Sequence, residues 1–172
     1  MKRALVQLTL PAMLAATLTL QACSEGDRQR QACLTGNDAQ ACTEACGLND
    51  AASCNQLGEL YRNGRGVERD ASRAVESYAR ACQLESGDGC HHLGLMHANG
   101  IGVSKNIPKA VEHYTRACDL HSGAGCTNLG MLYVKGNGVR RDMDKARELF
   151  DKGCRLNIQT ACENLKHAGG GR

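Results

Sequence analysis

The chain has 172 residues, one ordinary domain's worth, with 21 basic against 18 acidic side chains and a net charge of +3. So slight an excess is not the footprint of a nucleic-acid-binding protein. With no Trp, four Tyr and one Phe, any core must rest largely on Leu, Val and Ala, while eleven Cys point to an oxidising compartment.

In chain order, the first element is an export signal. Lys2 and Arg3 precede an uncharged stretch from Ala4 to Leu20, the n-region and h-region of a signal peptide. The stretch is short for a spanning helix, and Pro11 interrupts it. It ends in Leu20-Gln21-Ala22-Cys23, which looks like a bacterial lipobox. That resemblance implies cleavage after residue 22 and a lipid anchor on Cys23. Parity agrees, because removing Cys23 from eleven cysteines leaves ten, enough for five bridges. Ser24, where an aspartate would signal inner-membrane retention, points to anchoring at the outer membrane, facing the periplasm. The processed chain keeps 19 basic against 18 acidic residues, a net charge of +1. Residues 23–32 read as the lipidated cysteine and a polar tether, and 169–172 as a flexible tail.

A cap at 33–45 leads into a repeat. Cys46, Cys82, Cys118 and Cys154 are spaced by 36 residues, and Cys54, Cys90, Cys126 and Cys162 keep the same step eight residues behind. A fixed period of this length marks a solenoid or array. The complete repeats are 46–81, 82–117 and 118–153, and a fourth unit, 154–168, stops after one helix. The pairs Leu57-Gly58, Leu93-Gly94 and Leu129-Gly130 align, as do Gly64-x-Gly66-Val67, Gly100-x-Gly102-Val103 and Gly136-x-Gly138-Val139. Ala74, Ala110 and Ala146 then align, followed by Tyr78, Tyr114 and Phe150.

Each repeat reads as two helices. Helix A runs from about Ala51 to Arg62, with Leu57, Leu60 and Tyr61 at helical spacing. Gly58 is a poor helix former, so its recurrence predicts close approach of a neighbouring helix. Gly64 stands where a left-handed C-terminal residue is wanted. Asp70, Asn106 and Asp142 are N-cap residues for helix B, and Pro108 falls in a first turn, where proline is tolerated. Helix B runs to about Gln83 and buries Ala74, Val75, Tyr78 and Ala81.

This organisation predicts a clamp at every repeat junction: Cys46–Cys54, Cys82–Cys90, Cys118–Cys126 and Cys154–Cys162, with Cys33–Cys42 in the cap. Within the cap a swap among Cys33, Cys42, Cys46 and Cys54 stays open, because Cys42 and Cys46 are one helical turn apart. Spacing of this length fits neither a C-x-x-C redox pair nor a C-x-x-C zinc site.

The recurring L-G-x-[LM]-[YH]-x-x-G-x-G-V, followed by a cap and an Ala-x-x-x-[Tyr/Phe] helix, resembles the Sel-one-like repeats, relatives of the tetratricopeptide repeats. Ala81-Cys82-Gln83-Leu84 with Cys90, and Ala117-Cys118-Asp119-Leu120 with Cys126, resemble the cysteine-rich branch first known from Helicobacter cysteine-rich proteins. The resemblance covers about Cys33 to Lys166. It implies an all-α fold, a right-handed α/α superhelix of about 3.5 repeats of 36 residues, with helix A lining a concave face.

Function is then expected to be binding of a protein or peptide in that groove, by a monomer held at the membrane through its lipid. Helix A positions that vary between repeats would set specificity: Asn55, His91 and Thr127; Gln56, His92 and Asn128; Glu59, Leu95 and Met131. Proteins of this branch also carry a β-lactamase label, which makes a β-lactam or cell-wall ligand, slowly hydrolysed, the alternative. No S-x-x-K, S-D-N or K-T-G supports it, nor any H-x-H-x-D metal motif, so no catalytic residue is assigned and no metal or cofactor is expected. His97 aligns with Tyr61 and Tyr133 and is read as packing between helices.

Overall fold

A computed structural model describes residues 25–169, all of whose regular structure is helical. The leader, Cys23 with its expected lipid, and the last three residues fall outside the described span. Helix α1 covers 25–36. It is followed by α2 (Ala39–Gly47), α3 (Ala51–Asn63), α4 (Ala71–Gln83), α5 (Gly87–Asn99), α6 (Ile107–Asp119), α7 (Gly123–Lys135), α8 (Met143–Arg155) and α9 (Gln159–Gly169). The A helices are α3, α5, α7 and α9, and the B helices are α4, α6 and α8. No described helix is long and apolar enough to cross a membrane.

The repeat's punctuation is local chemistry. Asp70 accepts from the amides of Ser72 and Arg73, Asn106 from Lys109, and Asp142 from Lys145, so each B helix starts on a satisfied N-cap. Asp50, Ser86 and Ser122 do the same for the A helices. Each complete A helix ends on a glycine in the left-handed region, Gly64, Gly100 or Gly136. The B helices end differently. The residues after their C-caps, Glu85, His121 and Asn157, take φ of 61–62° without being glycine.

Packing within a repeat turns on one small residue. A Cβ on Gly58 would lie 2.5 Å from the Tyr78 ring, one on Gly94 2.6 Å from Tyr114, and one on Gly130 2.7 Å from Phe150. The B-helix aromatic therefore lies flat on the A-helix backbone, and Tyr78, Tyr114 and Phe150 are almost fully buried. The corresponding residue of α9 is Lys166, which is exposed.

Every helix B is tied to the next helix A. The bridges Cys46–Cys54, Cys82–Cys90, Cys118–Cys126 and Cys154–Cys162 join α2 to α3, α4 to α5, α6 to α7 and α8 to α9, and Cys33–Cys42 joins α1 to α2. Their Cα–Cα separations are 4.5–4.6 Å. The alternative pairing within the cap is not the one adopted.

Successive A helices also touch one another, α3 with α5, α5 with α7 and α7 with α9, whereas successive B helices have at most marginal contact. The stack therefore closes on the A side and opens on the B side, which puts helix A on the concave face.

Two expectations need correction. The stretch read as a tether is helical from residue 25, held by Gln29 donating to Glu44 (2.6 Å) and Arg30 pairing with Asp50 (3.1 Å). Val75 is half-buried rather than buried, because it faces the wedge between α4 and α6.

Candidate functional site

The residues expected in the groove stand on α3, α5 and α7 and bond to one another across repeats. The Asn55 amide oxygen lies 2.9 Å from Nδ1 of His92, and Nδ2 of Asn128 lies 2.9 Å from Nε2 of His91. Gln56 donates to Asn37, in the turn between α1 and α2, over 2.6 Å. Five of the six candidates, Asn55, Gln56, His91, His92 and Asn128, are half-buried and form a polar row along the A helices. The sixth does not join them. Thr127 is 7% exposed, and its hydroxyl donates to the Gly123 carbonyl at 2.7 Å. Its Oγ1 lies under Gly153, 2.9 Å from where a Cβ would stand, so α8 covers it.

At the first-repeat end the row gathers around Glu59. Its carboxylate accepts from Arg62 (2.8 Å), Asn63 (3.1 Å) and the Tyr78 hydroxyl (3.2 Å), and faces Nε2 of His92 at 3.2 Å. Both ring nitrogens of His92 thus face oxygens. The neutral ring satisfies both when Nε2–H donates to Glu59 and the Asn55 amide turns its NH2 to Nδ1. Tyr78, His92, His91 and Tyr114 succeed one another as tilted rings, with centroids 4.8, 5.1 and 6.1 Å apart. The phenols of Tyr78 and Tyr114 are bound into the core rather than poised to ionise. Burial holds both well above the ordinary phenol range, Tyr114 up to about 12.

Burial also dominates the histidines. His91 is pushed down to about 4, chiefly by desolvation and then by the neighbouring His92. Desolvation lowers His92 too, against the attraction of Glu59. The row is therefore an uncharged set of imidazoles and amides at neutral pH. It can hydrogen-bond a peptide backbone in both directions, but offers no ionised nucleophile.

This burial has a consequence for stability. A histidine lowered on folding binds its proton more readily in the unfolded chain. Its contribution is complete above the ordinary value of about 6.5 and is lost as pH falls from there to about 4. For the partly exposed His91 that amounts to roughly 2 kcal/mol. Urea unfolding at pH 7.5 and at pH 4.5 should show the loss. His91→Asn, which places the residue of Asn55 in the second repeat, should flatten the pH dependence. An unchanged slope would show that His91 does not report on folding.

Glu59 and the two histidines were legible as variable groove positions. Tyr78 reads from sequence only as core, and Asn37 carries no signal at all. A second imidazole pair also lies outside the row: His97 is 7% exposed and stacks on His113, centroids 5.3 Å apart and planes 19° from parallel.

Comparison with known proteins follows the repeat. The Sel1 repeat model matches residues 51–86, 87–122 and 123–158, three consecutive helix pairs. A Sel1 repeat protein from Oxalobacter formigenes superposes with a TM-score of 0.73 at 25% identity, over 82% of this chain and 57% of that one. The antigen c5321, described as protective and present in uropathogenic Escherichia coli, gives 0.74 at 25% identity, over 94% of this chain and 36% of that one. The chain thus spans little more than half of the first of these relatives and about a third of the second. Helicobacter pylori cysteine rich protein B gives 0.61 at 31% identity, over 81% of this chain and 96% of that one. Comparison with curated protein sequences gives no match.

Proposed function

This chain belongs to the Sel1 repeat family, and from that premise we propose that it is a lipid-anchored, periplasmic protein-binding module of the bacterial envelope. The observation that carries the reading is the row Asn55–His92 and His91–Asn128, half-buried polar groups bridging three repeats on the concave face. Neutral donors and acceptors at helix spacing suit an extended peptide, whose own amides alternate donor and acceptor. The variable position Glu59, Leu95, Met131 grades the groove from acidic to apolar along its length. At the far end Met131, Val134, Phe150 and Ala168 line a cavity of about 260 Å³ that would take one apolar side chain. Five bridges fit an exported protein, and Cys23 following its leader is the attachment point.

A photo-reactive residue placed in cells at Gln56, Leu95 or Met131 should give a discrete adduct, absent when placed at Glu76, Glu112 or Glu148 on the B helices. Cys23→Ala should move the protein from the membrane to the soluble fraction or block its processing. Adducts from the B helices alone would sink the groove reading, and membrane retention of Cys23→Ala would sink the anchor. Saturable nitrocefin turnover reduced by His91→Ala would put the hydrolase reading in its place.

A further inference from the structure

The loops that join each helix A to its helix B lie side by side on one edge of the stack. A Cβ on Gly66 would stand 3.5 Å from the Asn37 carbonyl in the α1–α2 turn. One on Gly102 would meet Ala71 and one on Gly138 Ile107, the first residues of α4 and α6. Taken from the last residue of helix A to the third of helix B, the segments 63–73, 99–109 and 135–145 hold nine basic and four acidic residues. The opposite edge, taken in the same way as 47–53, 83–89, 119–125 and 155–161, holds Asp50, Glu85, Asp88 and Asp119 against Arg155 alone. A chain of small net charge is thus polarised across its width, basic on one edge and acidic on the other.

The cations stand in two columns with the period of the repeat: Arg69, Lys105 and Arg141, then Arg73, Lys109 and Lys145. All six are exposed. The second column occupies the third position of each helix B, where the helix dipole favours an acid over a base. Glutamates three residues on could offset that cost, but among the described residues only Lys145 reaches its own, Glu148, at 3.0 Å. Arg73 pairs instead with Asp70 (3.6 Å) and lies over the Tyr61 ring at 5.5 Å. Among the described residues Arg69, Lys105, Lys109 and Arg141 make no ion pair. Stability of the fold alone therefore does not call for both columns. At the first-repeat end Tyr61, Val67, Arg69 and Arg73, with Glu68 and Asp70 beside them, line a recess of about 330 Å³ in the same edge.

We propose that the basic edge is a second docking surface, for an acidic, Asp/Glu-rich segment of an exported partner protein laid across the three loops. Carboxylates spaced along such a segment meet one pair of cations in each repeat, and charge complementarity of this kind sets encounter rate and register. The choice of a protein segment over an anionic bilayer rests on the lipid anchor proposed above. The α1–α2 turn belongs to the basic edge, so residue 25, at the other end of α1, lies on the acidic one. A lipid on Cys23, two residues earlier, holds the acidic edge toward the membrane and turns the basic edge away from it.

The test is fluorescence anisotropy of a labelled poly-L-glutamate oligomer titrated with the full, oxidised chain, beside co-sedimentation with phosphatidylglycerol vesicles. The oligomer should bind saturably, and more weakly as added NaCl shortens the Debye length. Arg73→Gln/Lys109→Gln/Lys145→Gln should keep the wild-type Tm and weaken binding about tenfold. Arg69→Gln/Lys105→Gln/Arg141→Gln should weaken it in the same sense, and reads the edge independently if the first variant folds poorly. Arg80→Gln/Arg116→Gln/Arg155→Gln removes as much charge from the other end of the B helices and should leave binding unchanged. The oligomer is read in solution and the anchor by Cys23→Ala in cell fractions, so the edge and the anchor fail separately. Absence of oligomer binding, equal weakening by all three variants, or edge variants that lose the vesicles while keeping the oligomer would overturn the assignment.

Discussion

Reduction of the five bridges is expected to unfold the chain. The fully buried set is dominated by small residues and cysteine itself: Cys33, Cys42, Cys54, Cys90 and Cys126 are all 0% exposed, and Ala74, Ala81, Ala110, Ala117, Ala146 and Ala161 join them. Such side chains bury little apolar area each, so the hydrophobic term per residue is modest. Each bridge closes a loop of eight or nine residues, which in the chain-entropy account contributes about 2–3 kcal/mol. Five terms of that size rival the roughly 5–15 kcal/mol by which a domain of this size is stable. Helical ellipticity under a thiol reductant should fall to that of an unfolded chain at neutral pH. The single-pair variant Cys82→Ser/Cys90→Ser should remain folded with about 2–3 kcal/mol less stability, having lost one term of the five. A reduced chain that keeps its urea midpoint would show that the helix interfaces suffice alone.

Gly94→Ala should destabilise the protein, although helix propensity argues the other way. Alanine is favoured over glycine in a helix interior by about 1 kcal/mol. Against that, the added Cβ would stand 2.6 Å from two carbons of the Tyr114 ring, which is 3% exposed and has no room to swing aside. Forcing a methyl into such a contact costs about 1–3 kcal/mol. The clash is with a ring rather than a flexible tail, so the upper half of that range applies, and less the propensity gain the net loss should be about 1–2 kcal/mol. In the Gly94→Ala background, Tyr114→Leu should cost less than it does in the wild type, because the two residues share one contact. A stabilising Gly94→Ala would mean that α5 and α6 do not seat as described.

The features legible in the sequence are those that repeat with the period of the chain. The cysteine grid, the N-caps Asp70, Asn106 and Asp142, the terminal glycines and the glycine–aromatic contacts all recur every 36 residues, so one reading serves three times. The polar row is only half-visible by that method. Aligned columns set His91 beside Asn55 and Thr127, yet the bonds join His92 to Asn55 and Asn128 to His91, one residue out of column. The stagger of neighbouring A helices sets this offset of 37, and the period of the sequence does not contain it.

Thr127 departs from its column for a local reason. A helical threonine can bond back to the carbonyl four residues earlier, and here Gly153, where the earlier junctions carry Ala81 and Ala117, lets α8 settle over it. The first turns of α1 have no apolar periodicity, and their partners, Glu44 on α2 and Asp50 at the N-cap of α3, are ones that no local pattern predicts. The meeting of His97 and His113 depends on how α5 leans on α6, information the chain carries only in three dimensions.

The central claim is that one covalent clamp at each junction turns a weakly cored array into a rigid surface. Peptide mapping of the oxidised, unalkylated protein tests it most directly. The account predicts five linkages and no free thiol among residues 25–169: Cys33–Cys42, Cys46–Cys54, Cys82–Cys90, Cys118–Cys126 and Cys154–Cys162. Linkages that cross from one junction to another, or thiols alkylated without reduction, would contradict it.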